Sequence, residues 1–313
     1  MADKVIVIAG PTAAGKTSLS LSVAKALGGE IVSADSMQVY RGMDIGTAKA
    51  GDRERAEVPH HMLDVADPSE NYSVSRYVED ASRCCDEILA RGRIPVITGG
   101  TGLYIDSLLA GLEFAAAGED DTLRADIEAE FDASGADEML RRLAEFDPER
   151  AAKLAGGDRR RIVRAIEIYR RTGVTATEHD EQTRAQPPRY EAAYLVLSWQ
   201  DREALYGRIN RRVDRMLEQG LDEEVMRLLE AGLSPDSTAM QAIGYKEMAA
   251  AISGEITFKD AADLMKLRTR RYAKRQLTWF RRREDALWLY HDDPGTDTPK
   301  DAALRFLRKE FNR

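Results

Sequence analysis

Residues 3 to 27 constrain the fold more than any other stretch. Lys4 to Ala9 reads K-V-I-V-I-A, a short apolar run rich in β-branched residues. Gly10 to Thr17 reads G-P-T-A-A-G-K-T. From Ser18 onward Leu19, Val23 and Leu27 recur at helical spacing until Gly28-Gly29 interrupt them. A buried strand, a glycine-containing loop and a helix start therefore follow one another without slack. The loop, Gly10, Pro11, Thr12, Ala13, Ala14, Gly15, Lys16 and Thr17, fits G-x-x-x-x-G-K-[ST], the phosphate-cradling P-loop, in the strand-then-helix context that the motif requires. The two glycines let the backbone curl so that N–H groups point inward, and the helix N-terminus adds partial positive charge. Lys16 supplies a full charge to phosphate oxygens, and the Thr17 hydroxyl is placed to ligate Mg²⁺. The pattern predicts a site for a di- or triphosphate without saying which.

A chain of 313 residues is expected to form one large domain or two. It is long enough to bury roughly three quarters of its unfolded surface without disulfide support. Its two cysteines, Cys84 and Cys85, are adjacent and match neither C-x-x-C nor a metal-ligand spacing. The longest apolar run near the N-terminus, Val5 to Ala9, is too short for a signal peptide or a membrane span. A reducing, cytoplasmic setting without membrane attachment is the expectation. The net charge of −8 argues at face value against nucleic acid. The charge is segregated, however. Arg268 to Arg283 holds eight basic residues and no acid, and Arg159, Arg160, Arg161 and Arg164 form a second cluster. Local patches, not net charge, make the footprint of a nucleic-acid binder.

Glu30 to Ala34 reads as a second strand, ending in D-S-M-Q-V-Y from Asp35 to Tyr40. Ligands of open α/β sheets sit beyond the carboxyl ends of strands, so Asp35 falls where the P-loop points, as a general base, a metal-bound carboxylate or a helix cap. Gly42 to Lys49, G-M-D-I-G-T-A-K, is a loop with two glycines and a lysine. Pro59 to Asp64 holds His60 and His61, which lack a third zinc-like partner and suggest a structural or substrate-lining role. A helix is predicted over Ser73 to Ala90 and a third strand over Ile94 to Thr98, closed by Gly99-Gly100-Thr101-Gly102, a second glycine turn with Thr101 as its polar reader. Residues 119 to 183 are charged and helical in pattern, with helices expected at Asp121–Phe131, Ala136–Phe146, Pro148–Leu154 and Asp158–Arg171. The predicted architecture is α/β: a P-loop NTPase-like parallel sheet core over 1–115 and 186–313, flanked by helices, with an all-α insertion over 116–185. In the second core segment a strand is expected at Glu191–Leu197 and a helix capped by Asp201. On that helix Arg208 and Arg212 share a face that could close over an anionic substrate. Further helices are predicted at Asp222–Glu230, Thr238–Ile252 and Thr257 to about Phe280, then a strand at Ala286–Tyr290 and a helix at Asp297–Phe311.

G-P-T-A-A-G-K-T, D-S-M-Q-V-Y, G-M-D-I-G-T-A-K, P-H-H-M-L-D, G-G-T-G-L-Y, R-R-R-I-V-R-A-I-E-I-Y, Q-A-I-G-Y-K-E-M and A-K-R-Q-L-T-W-F stand in the same order over about residues 4 to 290 as in the bacterial tRNA dimethylallyltransferases, also called tRNA isopentenyltransferases, and the chain resembles that family. Two small departures are Ala14, where serine is common, and Ala50, where proline often follows G-T-A-K; neither removes a group the chemistry needs. The absence of a C-terminal zinc finger resembles the bacterial form. The resemblance implies prenyl transfer from dimethylallyl diphosphate to the exocyclic amine of the adenosine 3′ of the anticodon, with Mg²⁺ and without a nucleoside triphosphate. It implies that the P-loop, Lys16 and Thr17 hold the diphosphate and metal, with Arg208 and Arg212 as candidates to close over it. Asp35 would be the general base and Thr101 would hydrogen-bond near the reacting amine. Ser36, Met37 and Gln38 would line the target base. The family's tRNA contacts carry over to Arg124, Arg160, Arg161, Ile162, Val163 and Arg164, and to the segment with Gln241, Gly244 and Lys246. The insertion would grip the anticodon stem-loop, and a monomer is expected.

Two other enzyme classes share parts of this pattern. A P-loop kinase of a small metabolite would also have the strand-end Asp35, but it leaves the basic patches idle. A prenyltransferase acting on free adenine nucleotide needs no long basic helix. A nucleotide-gated RNA-binding module would need no carboxylate at the end of strand two.

Overall fold

The computed structural model describes residues 3–112, 122–154, 156–295 and 297–312; the expected boundary at 115/116 and the helix start at Asp121 lie outside these residues. The chain forms two compact units, Met1–Leu109 with Arg189–Arg313, and Ala110–Pro188. The first unit begins with β1 (Asp3–Ala9), α1 (Lys16–Leu27), β2 (Gly29–Ser33), α2 (Asp52–Glu57), β3 (His60–His61), α3 (Val74–Ala90), β4 (Ile94–Gly99) and α4 (Gly102–Ala110). Then come α5 (Thr122–Ala144), α6 (Pro148–Lys153), α7 (Arg159–Thr172) and α8 (Ala176–Ala185). The first unit resumes with β5 (Tyr190–Ser198), α9 (Arg202–Glu218), α10 (Leu221–Glu230), α11 (Tyr245–Ile252), α12 (Phe258–Phe280), β6 (Leu287–Tyr290) and α13 (Pro299–Glu310). The six strands form one sheet in the order β3-β2-β4-β1-β5-β6, every adjacent pair parallel. This is the α/β class that the alternation of apolar strands and amphipathic helices predicts.

β1 lies at the inside of the sheet, and Val5 to Ala9 are wholly buried, as a continuous apolar run in a parallel strand requires. Ile6 and Ile8 share a core with Leu19, Val23 and Leu27 of α1 and with Ala303 and Leu307 of α13. The P-loop helix is thus anchored from both ends of the sequence. At the outer edge, the two-residue β3 pairs Ile31 with His60 and Val32 with His61. His61 Nε2 lies 2.7 Å from Glu30 Oε2, and Arg91 donates to the same oxygen at 2.8 Å. Burial pushes the Glu30 carboxyl up, but the His61 and Arg91 contacts outweigh it and hold it below the usual range. The histidine pair is therefore edge architecture.

In the second unit Ile127, Phe131, Met139 and Leu143 of α5 pack on Ile162, Val163 and Ile166 of α7. The two helices expected at Asp121–Phe131 and Ala136–Phe146 lie on either side of a break at Gly135 (φ 78°, ψ 169°) within α5, and α8 adds a helix that the sequence pattern did not single out. A correction falls in the first unit. Residues 238–244 are turns, not the start of a helix, because Gly244 sits at φ 105° and its N–H is taken by Glu247 Oε2 at 2.7 Å.

Candidate active site

Three loops meet beyond the carboxyl ends of β1, β2 and β4, around a cavity of about 780 Å³. Its lining includes Thr12, Ala13, Gly15, Lys16 and Thr17 from the P-loop, Asp35 and Gln38 after β2, and Gly99 and Gly100 at the end of β4. Gly15 caps α1 in the left-handed region (φ 94°), where a side chain would be strained, and offers no side-chain cap to the first helical turn. Lys16 Nζ folds back onto the Pro11 carbonyl at 2.9 Å. Burial, then the nearby Arg212 charge, push the Lys16 ammonium down to about 8, against the opposing pull of Asp35. Lys16, Arg208, Arg211, Arg212 and Arg215 line the cavity against Asp35, Asp214 and Glu218, an excess of positive charge that favours a phosphate.

α9 closes the cavity with arginines. Arg208 Nε donates to Ala13 O at 3.1 Å and its guanidinium lies 5.3 Å from the Trp199 ring centre. Arg212 donates to Thr47 O at 3.2 Å. Neither has an acidic partner among the described residues. Burial pushes Arg212 down and Asp35 pulls it up. Arg211 and Arg215 also line the cavity, so both i,i+4 pairs of this helix face it. His291, after β6, braces the P-loop from behind: Nε2 meets Ala14 O at 2.7 Å and its ring stacks on Trp199.

Asp35 accepts the Met37 N–H at 2.9 Å through Oδ1, a turn-forming contact that leaves Oδ2 without a protein partner among the described residues. Thr101 Oγ1 accepts the Ser36 N–H at 3.2 Å, which joins the second glycine turn to the Asp35 loop. Gln38 Oε1 accepts from Ser33 Oγ at 3.0 Å and its amide donates to Thr47 O at 3.2 Å. Asp35 and Arg212 also line a second cavity of about 260 Å³, walled by Ser36, Met37, Val213, Met216, Gln241, Ile243 and Met265. A cationic chamber and a more apolar one thus share Thr12, Asp35, Arg212 and Tyr272.

Several residues of this site escape sequence reasoning. Glu224 of α10 is only 3% exposed. It accepts the N–H groups of Asp44, Ile45 and Gly46 at 3.0, 2.9 and 3.2 Å and the Tyr245 hydroxyl at 2.5 Å. It therefore fixes the loop whose Thr47 carbonyl holds Arg212 and Gln38. Lys49, the lysine of that loop, is a structural stitch: its ammonium reaches Tyr40 O, Asp44 and Asp64 at 2.7, 2.6 and 2.7 Å. Tyr272 and Gln276 stand one turn apart on α12 and line the cavity. Burial, then the Asp35 charge, push the Tyr272 phenol up to about 12. The local signals were their i,i+4 spacing and the place of Gln276 within A-K-R-Q-L-T-W-F.

The expected RNA-contacting residues divide. Ile162 and Val163 are buried in the second unit's core, where their side chains pack. Arg159 pairs with Asp132 at 2.9 Å, Arg161 with Asp158 at 3.4 Å and Arg164 with Glu167 at 2.9 Å. The acids come from another helix, the cap position and the next turn, so the cluster is less cationic than its sequence suggests. Arg160 is exposed and has no ion-pair partner among the described residues. Arg124 pairs with Glu128 at 3.2 Å. In the first unit Lys246 donates to Gln241 at 2.8 Å, both exposed, while Gly244 is buried. On α12 and just after it, Arg271, Lys274, Arg275, Arg281 and Arg282 are exposed, whereas Arg268 is tied to Glu247 and Arg270 to Asn210.

Among the described residues no group of three or more His, Cys, Asp or Glu could cage a metal ion. The donors present are Thr17, exposed in the first turn of α1, and Asp35 in the same cavity. Such a sparse set fits Mg²⁺ carried on a diphosphate, since Mg²⁺ keeps several waters and uses few protein ligands.

Residues 38–283 match the IPP transferase family and residues 3–64 match the isopentenyl transferase family. The tRNA dimethylallyltransferase of Acetivibrio thermocellus is 45% identical over 309 residues, 99% of this chain and 98% of that protein. That of Geobacter sulfurreducens is 48% identical over 304 residues, 97% of each. The crystal structure of the full-length tRNA isopentenylpyrophosphate transferase from Bacillus halodurans superposes with a TM-score of 0.74 at 40% identity, covering 99% of this chain and 97% of that one. A eukaryotic dimethylallyltransferase captured acting on tRNA superposes with a TM-score of 0.85 at 31% identity, covering 99% and 80%. The chain belongs to the tRNA dimethylallyltransferase (IPP transferase) family.

Proposed function

We propose that this protein transfers the dimethylallyl group of dimethylallyl diphosphate to the exocyclic amine of the adenosine 3′-adjacent to the anticodon in tRNA, releasing pyrophosphate. The observation that carries the reading is the shared wall of the two cavities. Asp35 stands between a chamber lined by Lys16, Arg208 and Arg212 and a more apolar chamber lined by Met37, Met216 and Met265. A diphosphate belongs in the first, an unstacked purine in the second, and the bond change at their junction.

The P-loop N–H groups, Lys16, Arg208 and Arg212 hold the diphosphate and stabilise the charge that grows on it as the allylic C–O bond breaks. Thr17 is the side chain that would hold Mg²⁺, which would supply Lewis-acid stabilisation of the leaving group. The adenine amine forms the new C–N bond, and its proton passes to Asp35, whose Oδ2 is free to take it. Thr101 and Ser36 keep the amine beside that oxygen. The base must leave its stack, at a cost of a few kcal/mol, which contacts to a single-stranded loop offset. Arg160, and Arg271, Lys274 and Arg275 of α12, are the exposed cations for RNA phosphates. No described helix is long and apolar enough to cross a membrane. An enzyme whose substrate is tRNA would act where tRNA is, and we place the activity in the cytoplasm. Transfer of label from the allylic diphosphate to tRNA, lost in Asp35→Ala with tRNA affinity retained, is the test; unchanged turnover in that variant removes Asp35 as the base.

A further inference from the structure

Gln276 is 5% exposed, on a helix whose neighbouring positions carry arginines and lysines. Its amide is satisfied in one orientation. Oε1 accepts the Thr12 N–H at 2.9 Å, and Nε2 donates to Gly100 O at 2.9 Å. The reverse orientation would set donor against donor and acceptor against acceptor. The approach is close enough that a Cβ on Gly100 would lie 2.1 Å from Nε2. One buried side chain thus ties the P-loop to the glycine turn that ends β4.

The structure assigns Gln276, we infer, as the positioning residue that sets the distance between the diphosphate and the acceptor amine. This rests on the transferase reading above. Thr12 lies within the P-loop that carries Lys16 and lines both cavities. Thr101 follows Gly100 directly, and its hydroxyl accepts from Ser36, the neighbour of Asp35. The Gln276 amide is therefore a direct side-chain bridge between the loop that grips the leaving group and the turn that faces the nucleophile. Gln276 need not touch a reacting atom. It acts by holding two loops in register, and a misplacement of about 1 Å in such a pair costs about 100-fold in rate. It also explains why position 100 is glycine: any side chain would displace the amide.

The test uses Gln276→Met, which keeps length and burial but loses both hydrogen bonds, and Gly100→Ala, which keeps the amide but pushes it aside. kcat and KM for dimethylallyl diphosphate are measured with tRNA, alongside tRNA affinity and the thermal midpoint. The inference predicts that kcat falls about 10- to 100-fold in each variant while KM and tRNA affinity move less than about threefold. The double variant should be no slower than the slower single one, because both disrupt one contact. A purely structural glutamine would lower the thermal midpoint and leave kcat unchanged at a permissive temperature, which overturns the inference. Should Gln276→Met not fold, Gly100→Ala decides alone, and a wild-type kcat there overturns it equally. If the wild-type protein moves no label into tRNA, the transferase reading fails instead, a distinct result.

Discussion

Removing the charge of Lys16 should make the ligand-free protein more stable while destroying its chemistry. Lys16 is half-buried, its ammonium hydrogen-bonds the Pro11 carbonyl at 2.9 Å, and burial with the Arg212 charge lowers it from 10.5 to about 8. At about 1.4 kcal/mol per unit, keeping that charge in the folded state costs up to about 3 kcal/mol at pH 7. Lys16→Met retains an unbranched stem and removes the charge. It also loses a charged hydrogen bond worth about 1.5 kcal/mol, so the net gain is about 1–2 kcal/mol, or a few degrees in Tm for a chain this long. The pH dependence follows from the direction of the shift. A lysine whose folded pKa is lowered binds its proton more readily when unfolded. The cost is therefore complete below pH 8 and fades as pH rises from 8 to 10.5. Thermal unfolding of both proteins across that window should show the variant ahead at pH 7 and the gap closing above pH 8. Pyrophosphate should stabilise the wild type more than the variant. A variant less stable at pH 7, with a gap flat in pH, would refute the picture of a strained, anion-seeking cation.

Further outcomes follow from particular contacts. Asp35→Ala should cut turnover by about 10²- to 10⁴-fold with tRNA affinity near wild type, read from single-turnover kinetics and filter binding. Arg160→Ala should weaken tRNA binding and lower its salt slope by about one unit or slightly less, leaving pyrophosphate affinity unmoved; an unchanged slope removes Arg160 from the RNA surface. Glu224→Gln, which replaces an acceptor of three backbone N–H groups by a group that can also donate, should destabilise the protein by about 1–3 kcal/mol. It should also raise KM for the diphosphate substrate through the Thr47–Arg212 contact, and wild-type kinetics would show that the loop does not place Arg212.

The parts of this molecule that could be read from sequence are those whose geometry is local. The P-loop declares itself because strand, glycines, Lys16 and helix are contiguous, and the parallel sheet because β1, β4 and β5 each contain a continuous apolar stretch. Asp35 lines the cavity because it follows a strand end of the sheet, and Thr101, after the end of a neighbouring strand, is joined to the adjacent Ser36. What stayed hidden depends on partners distant in sequence. Gln276 meets Thr12 across 264 positions, and Glu224 meets Asp44 across 180. No window of neighbouring residues contains either pair. The α7 cluster is less cationic than its run of arginines suggests: Asp132, in another helix, neutralises Arg159, while the local Asp158 and Glu167 pair with Arg161 and Arg164. Ile162 and Val163 sit inside an arginine cluster in sequence, yet the helical period turns them into the core. Residues 238–244 have helical composition, but the positive φ of Gly244 starts the helix only at Tyr245.

The most direct measurement is a partition of label. The purified protein is incubated with Mg²⁺ and radiolabelled dimethylallyl diphosphate, with unmodified tRNA in one tube and AMP in another. Label in tRNA alone, on the adenosine 3′ of the anticodon and with one pyrophosphate released per group transferred, is the predicted result. Label in AMP, or consumption of ATP with label in neither acceptor, would contradict it.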